Sequence, residues 1–360
     1  PRTVAWSESP STVTDPTEPM ATHYRLPPLL ENSQGAPRAA GFEFEFGNLP
    51  ITRAAQALQR ALGGDIEAIS PFEAVLHDSS LGRLKIERDA DLLKSVRYRK
   101  WLEGLGLDFQ PGSIGHEIET NIDNASRGLI PCEVVTAPIP FRDLSTLDTL
   151  VSALNELGAE GTQDSLIYAF GLHINPSLPA DDSATVTRYI QAYLLLHAWL
   201  VELSGTDLTR RFLTRYIDPF PHSYMELVLR TGYEPDTAGL IDDYLAHNPT
   251  RNRALDMLPI LAYLDHDAVV SKLGEDERRL VKGRPAFHYR LPDCKVNEPG
   301  WSVADAWNRW VYVEVLANDT AMLEETMLAW QHHDSEFTLN PSGGWVQVLT
   351  SLLAERYLST

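Results

Sequence analysis

Along most of the chain the spacing of apolar residues sets the expected elements. In "GFEFEFG" (41–47) Phe42, Phe44 and Phe46 alternate with Glu43 and Glu45, which predicts a strand with one apolar and one acidic face. "ITRAAQALQRALGG" (51–64) carries Ile51, Ala55, Leu58 and Leu62 at helical spacing, with Gly63 beyond the end. "GRLKIERDADL" (82–92) alternates in its first half. "IPCEVVTAPIP" (130–140) reads as a buried strand closed by prolines, and "LIYAFGLHINPSL" (166–178) as another. A helix ending in glycine, "LSTLDTLVSALNELGAEG", separates them.

From residue 181 on, helical periods dominate. "DDSATVTRYIQAYLLLHAWLVELSG" has capping candidates Asp182 and Ser183 and ends at Gly205. "DTAGLIDDYLAHN" and "DMLPILAYLDHDAVVSKLG" each read as one helix, "RPAFHYRLPD" (284–293) as a short strand, and the stretch from "SVADAWNRWVYVEVLAND" to "GWVQVLTSLLAERYL" as helical. Strands interleaved with helices without a βαβ rhythm predict an α+β fold around an antiparallel sheet. Residues 1–38, rich in Pro, Ser, Thr and Glu, read as a flexible leader, and 39–360 as a single domain, strand-rich over 39–180 and helix-rich over 181–360. Regions 65–82, 93–128 and 206–250 carry no readable motif and are expected to hold specificity loops.

Composition narrows the function. The chain has 360 residues, 43% of them hydrophobic, enough for a sizeable core. Thirty Lys and Arg against 50 Asp and Glu give a formal charge of −20, which disfavours nucleic acid and anionic membrane surfaces as partners. Cys132 and Cys294 form no Cys-x-x-Cys pair, so neither a disulfide framework nor a structural zinc site is supported. The sequons at Asn124 and Asn318 are matches of a kind that arises by chance. No charged and apolar leader of the secretory type is visible, and "YLLLHAWLVEL" (193–203) is too short and too polar to span a bilayer. A soluble cytoplasmic protein is expected.

The acidic face of 41–47 raises the chemical question. Glu43 and Glu45 lie about 7 Å apart along an extended strand. At roughly 6 Å between carboxylates and an effective dielectric near 20, their repulsion is about 3 kcal/mol. A solvated strand face removes that cost, and so does a hard divalent cation such as Mg²⁺. Glu133 is the single charge in "PCEVVTAPIP", where it faces either solvent from an edge or a cation. His173 and Asn175 share a strand face, so both can ligate metal or bind phosphate; a core histidine with a local partner is the plain alternative. Asp89 and Asp91 follow Lys85 at alternate spacing, or form an Asp-rich turn. Arg290 shares a face with His288 and is suited to bidentate phosphate contact, or is a surface arginine on an edge.

Other candidates are weaker. "GHEIET" (115–120) opens like a zinc-protease helix, but Thr120 stands where the second His is needed. "QHHDSE" (331–336) reads as a solvated turn. Arg210, Arg211, Arg215, Arg251 and Arg253 have phosphate contact or ordinary ion pairing open to them.

Taken in order, Gly-Phe-Glu43-Phe-Glu45-Phe, Lys85 to Leu92, Cys-Glu133-Val-Val-Thr-Ala-Pro, Gly171-Leu-His173-Ile-Asn175 and Phe-His-Tyr-Arg290 resemble the putative amidoligase family. That family belongs to the carboxylate–amine ligases related to glutamine synthetase and γ-glutamylcysteine synthetase. The resemblance covers roughly residues 41–315. It implies a curved, mostly antiparallel sheet of the glutamine synthetase type, backed by helices, with ATP and Mg²⁺ as cofactors and a small-molecule or peptide carboxylate and an amine as substrates.

By position, Glu43, Glu45, Glu133 and His173 match metal ligands. His173, Asn175, Lys85 and Arg290 match the nucleotide and phosphate side, and Arg290 with Glu45 the catalytic set. Two departures stand out. His173-Ile-Asn175 replaces a common His-x-His, and His288 stands two residues before Arg290 where an acid is usual, which bears on one metal position or on the arginine's orientation. The expected activity is ATP-dependent amide formation through an acyl phosphate. The alternatives are a non-catalytic nucleotide- or peptide-binding relative and a metal-dependent hydrolase using the same acids.

Overall fold

A computed structural model describes residues 23–47, 49–70, 72–88, 132–159, 161, 170–204, 218–336 and 341–354. Among them nine strands and eleven α-helices give a mixed α+β architecture built on an open antiparallel sheet. The strands are β1 (Ala39–Phe46), β2 (Asp65–Ser70), β3 (Glu73–Ser79), β4 (Gly82–Arg88), β5 (Cys132–Thr136), β6 (Ile139–Pro140), β7 (Leu172–Pro176), β8 (Leu255–Asp256) and β9 (His288–Tyr289). Their spatial order is β2-β3-β4-β5-β1-β7-β9-β8, with β6 pairing the start of β1. The Glu-x-Glu strand therefore lies inside the sheet, flanked by β5 and β7.

The apolar face of β1 is part of the core: Phe42, Phe44 and Phe46 are all fully buried. Each such side chain contributes about 1.5–3 kcal/mol through removal from water. Phe42 meets Trp307 at 6.5 Å between ring centroids, and Trp307 lies on a long helix, Val303–Asn318. That helix packs against Ser183–Ser204, the apolar run predicted at 193–203. Arg38, just before β1, is fully buried and forms a bidentate pair with Glu314 of the Trp307 helix at 2.9 and 2.8 Å. Tyr189 and Trp310 also donate to Glu314, so the buried carboxylate has no bare oxygen.

Residues 23–38, read from composition as leader, lie against this body. Tyr24 donates to Asp148, the Arg25 amide donates to Asn308, and Trp307 Nε1 donates to the Arg25 carbonyl.

Several local expectations are corrected. The loop expected over 65–82 is a hairpin, β2–β3, that runs on into β4. The helix at 51–62 ends on Gly63 at φ 74, and Gly64 follows at φ 88. A Cβ on Gly64 would sit 2.2 Å from the His77 carbonyl oxygen, so the chain passes β3 too closely for any side chain there. "DMLPILAYLDHDAVVSKLG" is not one helix. It breaks at Asp265, whose extended backbone lets its side chain cap the next helix by accepting from the Ala268 amide. "QHHDSE" lies on the helix Thr320–Glu336 instead of in a turn. Asp89, Asp91, the 115–120 motif, Arg210, Arg211 and Arg215 lie outside the described residues. No helix among the described residues is long and apolar enough to cross a membrane.

Candidate metal and phosphate site

The polar face of the sheet is organised in rows, because residues opposite each other on antiparallel strands point the same way. One row reads Glu73, Glu87, Glu133, Glu45 across β3, β4, β5 and β1. The next reads Val75, Lys85, Val135, Glu43, His173 across β3, β4, β5, β1 and β7. Asn175 stands opposite Gly41 on the same face. Sheet pairing thus brings together Glu43, Glu45, Glu133, His173 and Asn175, which come from three separate stretches of sequence.

Glu43 is the hub. One carboxylate oxygen accepts from His173 Nδ1 at 2.9 Å and the other from Asn175 Nδ2 at 2.9 Å. Arg284 lies 3.8 Å from it. Burial is the largest single influence on the Glu43 carboxyl and would raise it; the His173 hydrogen bond and the nearby His288, His173 and Arg284 together outweigh it and hold it well below the usual carboxylate range. Glu45 accepts from the Gly171 amide at 2.6 Å, and its other oxygen is 3.7 Å from His173 Nε2. With Nδ1 held by Glu43, His173 turns its Nε2 toward Glu45.

β8 and β9 add residues that the sequence reading treated only as a departure or passed over. Asp256 and His288 face each other across these strands, and His288 Nδ1 donates to Asp256 at 3.3 Å. His288 Nε2 lies 3.8 Å from Glu43. Burial pushes the His288 imidazole down to about 4, against the pull of Asp256 and Glu43, so the ring is neutral at physiological pH. Arg251 completes the corner, 3.4 Å from Asp256.

Asp256 was findable. It is the one charge in the apolar run "ALDMLPIL", the same signal that singled out Glu133.

Arg290 is half-buried on this side of the sheet, its Nη1 donating to the Arg251 carbonyl at 2.9 Å. Burial pushes its guanidinium pKa down, while Asp256, Glu45 and Glu43 oppose that from the site. Lys85 sits farther along the face. It is held by Glu87 at 2.6 Å and Glu73 at 3.6 Å, two strands from Glu43.

The side chains form two overlapping triads whose ligand atoms lie within 4.8 Å of one another: Glu45, Glu133 and His173, and Glu43, His173 and His288. A third group, His222, Glu226 and Asp334, is on the surface.

The chain belongs to the family described as putative amidoligase enzyme, whose model matches residues 36–312. Membership supports an enzyme of ligase type acting on small molecules. No curated protein and no solved structure matches the chain.

Proposed function

We propose that the protein is an ATP- and Mg²⁺-dependent carboxylate–amine ligase working through an acyl phosphate. The observation that carries this reading is the convergence of Glu43, Glu45, Glu133 and His173 on one sheet face, with the half-buried Arg290 beside them. Glu45 and Glu133 supply carboxylate oxygens opposite each other, a donor set suited to Mg²⁺. Bound there, Mg²⁺ would neutralise charge on the acids and on transferring phosphate.

The chain's own residues have defined tasks in this reading. A carboxylate oxygen of the substrate attacks the γ-phosphorus of ATP, ADP leaves, and an acyl phosphate forms. An amine then attacks the acyl carbon, inorganic phosphate departs, and the amine loses a proton. Arg290 offers planar donors to the phosphoryl oxygens as charge gathers on them. Asn175 is anchored through Nδ2 to Glu43, while its buried Oδ1 has no hydrogen-bond partner and is available to a ligand. Lys85 stands toward the outer end of the acid row, where a positive charge tempers Glu87 and Glu73.

The test is hydroxamate formation from a panel of amino-acid and peptide carboxylates with hydroxylamine as the amine. ATP-dependent product in wild type, lost in Glu45→Gln, supports the reading. Product formed equally without nucleotide would defeat it in favour of a metal-dependent hydrolase running in reverse.

A further inference from the structure

We infer that the Glu43–His173–His288 triad is a binding position for a nitrogen-seeking divalent transition ion of the Zn²⁺ or Co²⁺ kind, not for Mg²⁺, and that Asp256 is the residue that orients His288 toward it.

Three observations carry this. His288 is 2% exposed, and its Nε2 has no hydrogen-bond partner although it lies 3.8 Å from Glu43. A buried imidazole nitrogen left without a partner is costly unless a ligand completes it. The far side of the ring is taken: Nδ1 donates to Asp256, a fully buried carboxylate that also meets Arg251. This fixes the tautomer so that the Nε2 lone pair faces the triad, the arrangement in which a carboxylate behind a histidine raises its power as a ligand.

The donor set is two imidazoles and one carboxylate. Mg²⁺ prefers oxygen and keeps its water, whereas imidazole suits Zn²⁺, Co²⁺ and their neighbours. Bonds of about 2.0–2.1 Å would draw the three ligand atoms in from their present spacing and leave a fourth position open.

His173 belongs to both triads. Its one imidazole therefore ties an oxygen-rich position to a nitrogen-rich one. The inference deepens the metal reading above, yet needs neither ATP nor an amine, so the two can fail separately.

The experiment is a Co²⁺ titration of the metal-free full chain, followed by the visible absorption of low-coordinate Co²⁺. Wild type is expected to develop one band, saturating at one ion per chain. Zn²⁺ should abolish it stoichiometrically and a large excess of Mg²⁺ should leave it intact. His288→Ala should lose the band. If that variant does not fold, His288→Glu serves instead, and should exchange the band for competition by Mg²⁺.

Asp256→Asn should keep the fold, shown by circular dichroism, and weaken Co²⁺ binding by about 10–100-fold. Glu133→Gln, outside the triad, should keep the band. An unchanged band in the His288 variants, loss of the band in Glu133→Gln, or displacement of Co²⁺ by Mg²⁺ at comparable concentration would each overturn the inference. Absence of ATP-dependent hydroxamate formation would defeat the ligase reading and leave the Co²⁺ result standing.

Discussion

Glu45 and Glu133 stand directly opposite each other on neighbouring antiparallel strands, each pointing to the polar face of the sheet. Like charges in that relation destabilise a sheet, by roughly 0.2–1 kcal/mol for an exposed pair. Glu133→Gln is therefore expected to raise the unfolding midpoint in chelator by up to about 2 °C. With saturating Mg²⁺ and a non-hydrolysable ATP analogue the ranking reverses: wild type gains and the variant does not. Thermal unfolding of both proteins, with and without ligands, checks both halves.

The Arg38–Glu314 pair predicts a stability effect remote from the site. Both side chains are fully buried, and removing one leaves the other charged without its partner. Arg38→Ala should cost about 3–5 kcal/mol in denaturant unfolding. Arg38→Met combined with Glu314→Leu should recover only part of that loss: the apolar pair removes the stranded charge, but Tyr189 and Trp310 lose their acceptor. A double-mutant cycle measures the coupling, and strictly additive single losses would refute it.

Arg290→Lys separates charge from shape. A lysine keeps the positive charge but cannot present the planar fork. In the hydroxamate assay kcat should fall by about 100- to 1,000-fold. The midpoint shift caused by the ATP analogue and Mg²⁺ should be largely kept, since Glu45 and Glu133 are untouched.

His222 gives a pH-dependent contact between helices. Its Nε2 reaches Asp334 at 2.7 Å, Glu226 lies on its other side at 3.6 Å, and Trp330 packs nearby. The Asp334 hydrogen bond, opposed by slight burial, raises the His222 pKa above its usual value. A histidine raised in the folded state contributes stability that is complete below the unfolded pKa near 6.5 and disappears as pH rises through the folded value. The pair is half-exposed, so the effect is small. His222→Gln should flatten the wild-type decline in stability above about pH 6.5 while matching it in shape elsewhere. Parallel curves through that range would show that the contact contributes nothing.

Parts of this architecture were legible because local pattern and long-range packing agree there. β1 and β5 carry bulky apolar residues on the core side, so alternation and the lone Glu133 marked them. β2 was missed because its side chains are mostly exposed and show little apolar alternation. β9 falls within the short strand expected over 284–293, but β8 has only two residues, too few for any period, and is held by the backbone of β9. The same limit hid the Asp256–His288 pair. Its members are 32 positions apart, and only strand pairing makes them neighbours. The departure at position 288, read from sequence as a missing acid, is in the fold a histidine with an acid behind it.

The row Glu73, Glu87, Glu133, Glu45 has a consequence for the order of events on this face. To any polyanion it is a repulsive wall, tempered at its outer end by Lys85. Cations are drawn to it first, and each one bound lowers the barrier to the next negatively charged arrival. A phosphate-bearing ligand that carries its own cation enters with that barrier already lowered, whereas the bare anion must wait for the wall to be loaded. In the ligase reading proposed above, the sheet would act as a turnstile that admits negative charge only when it comes escorted.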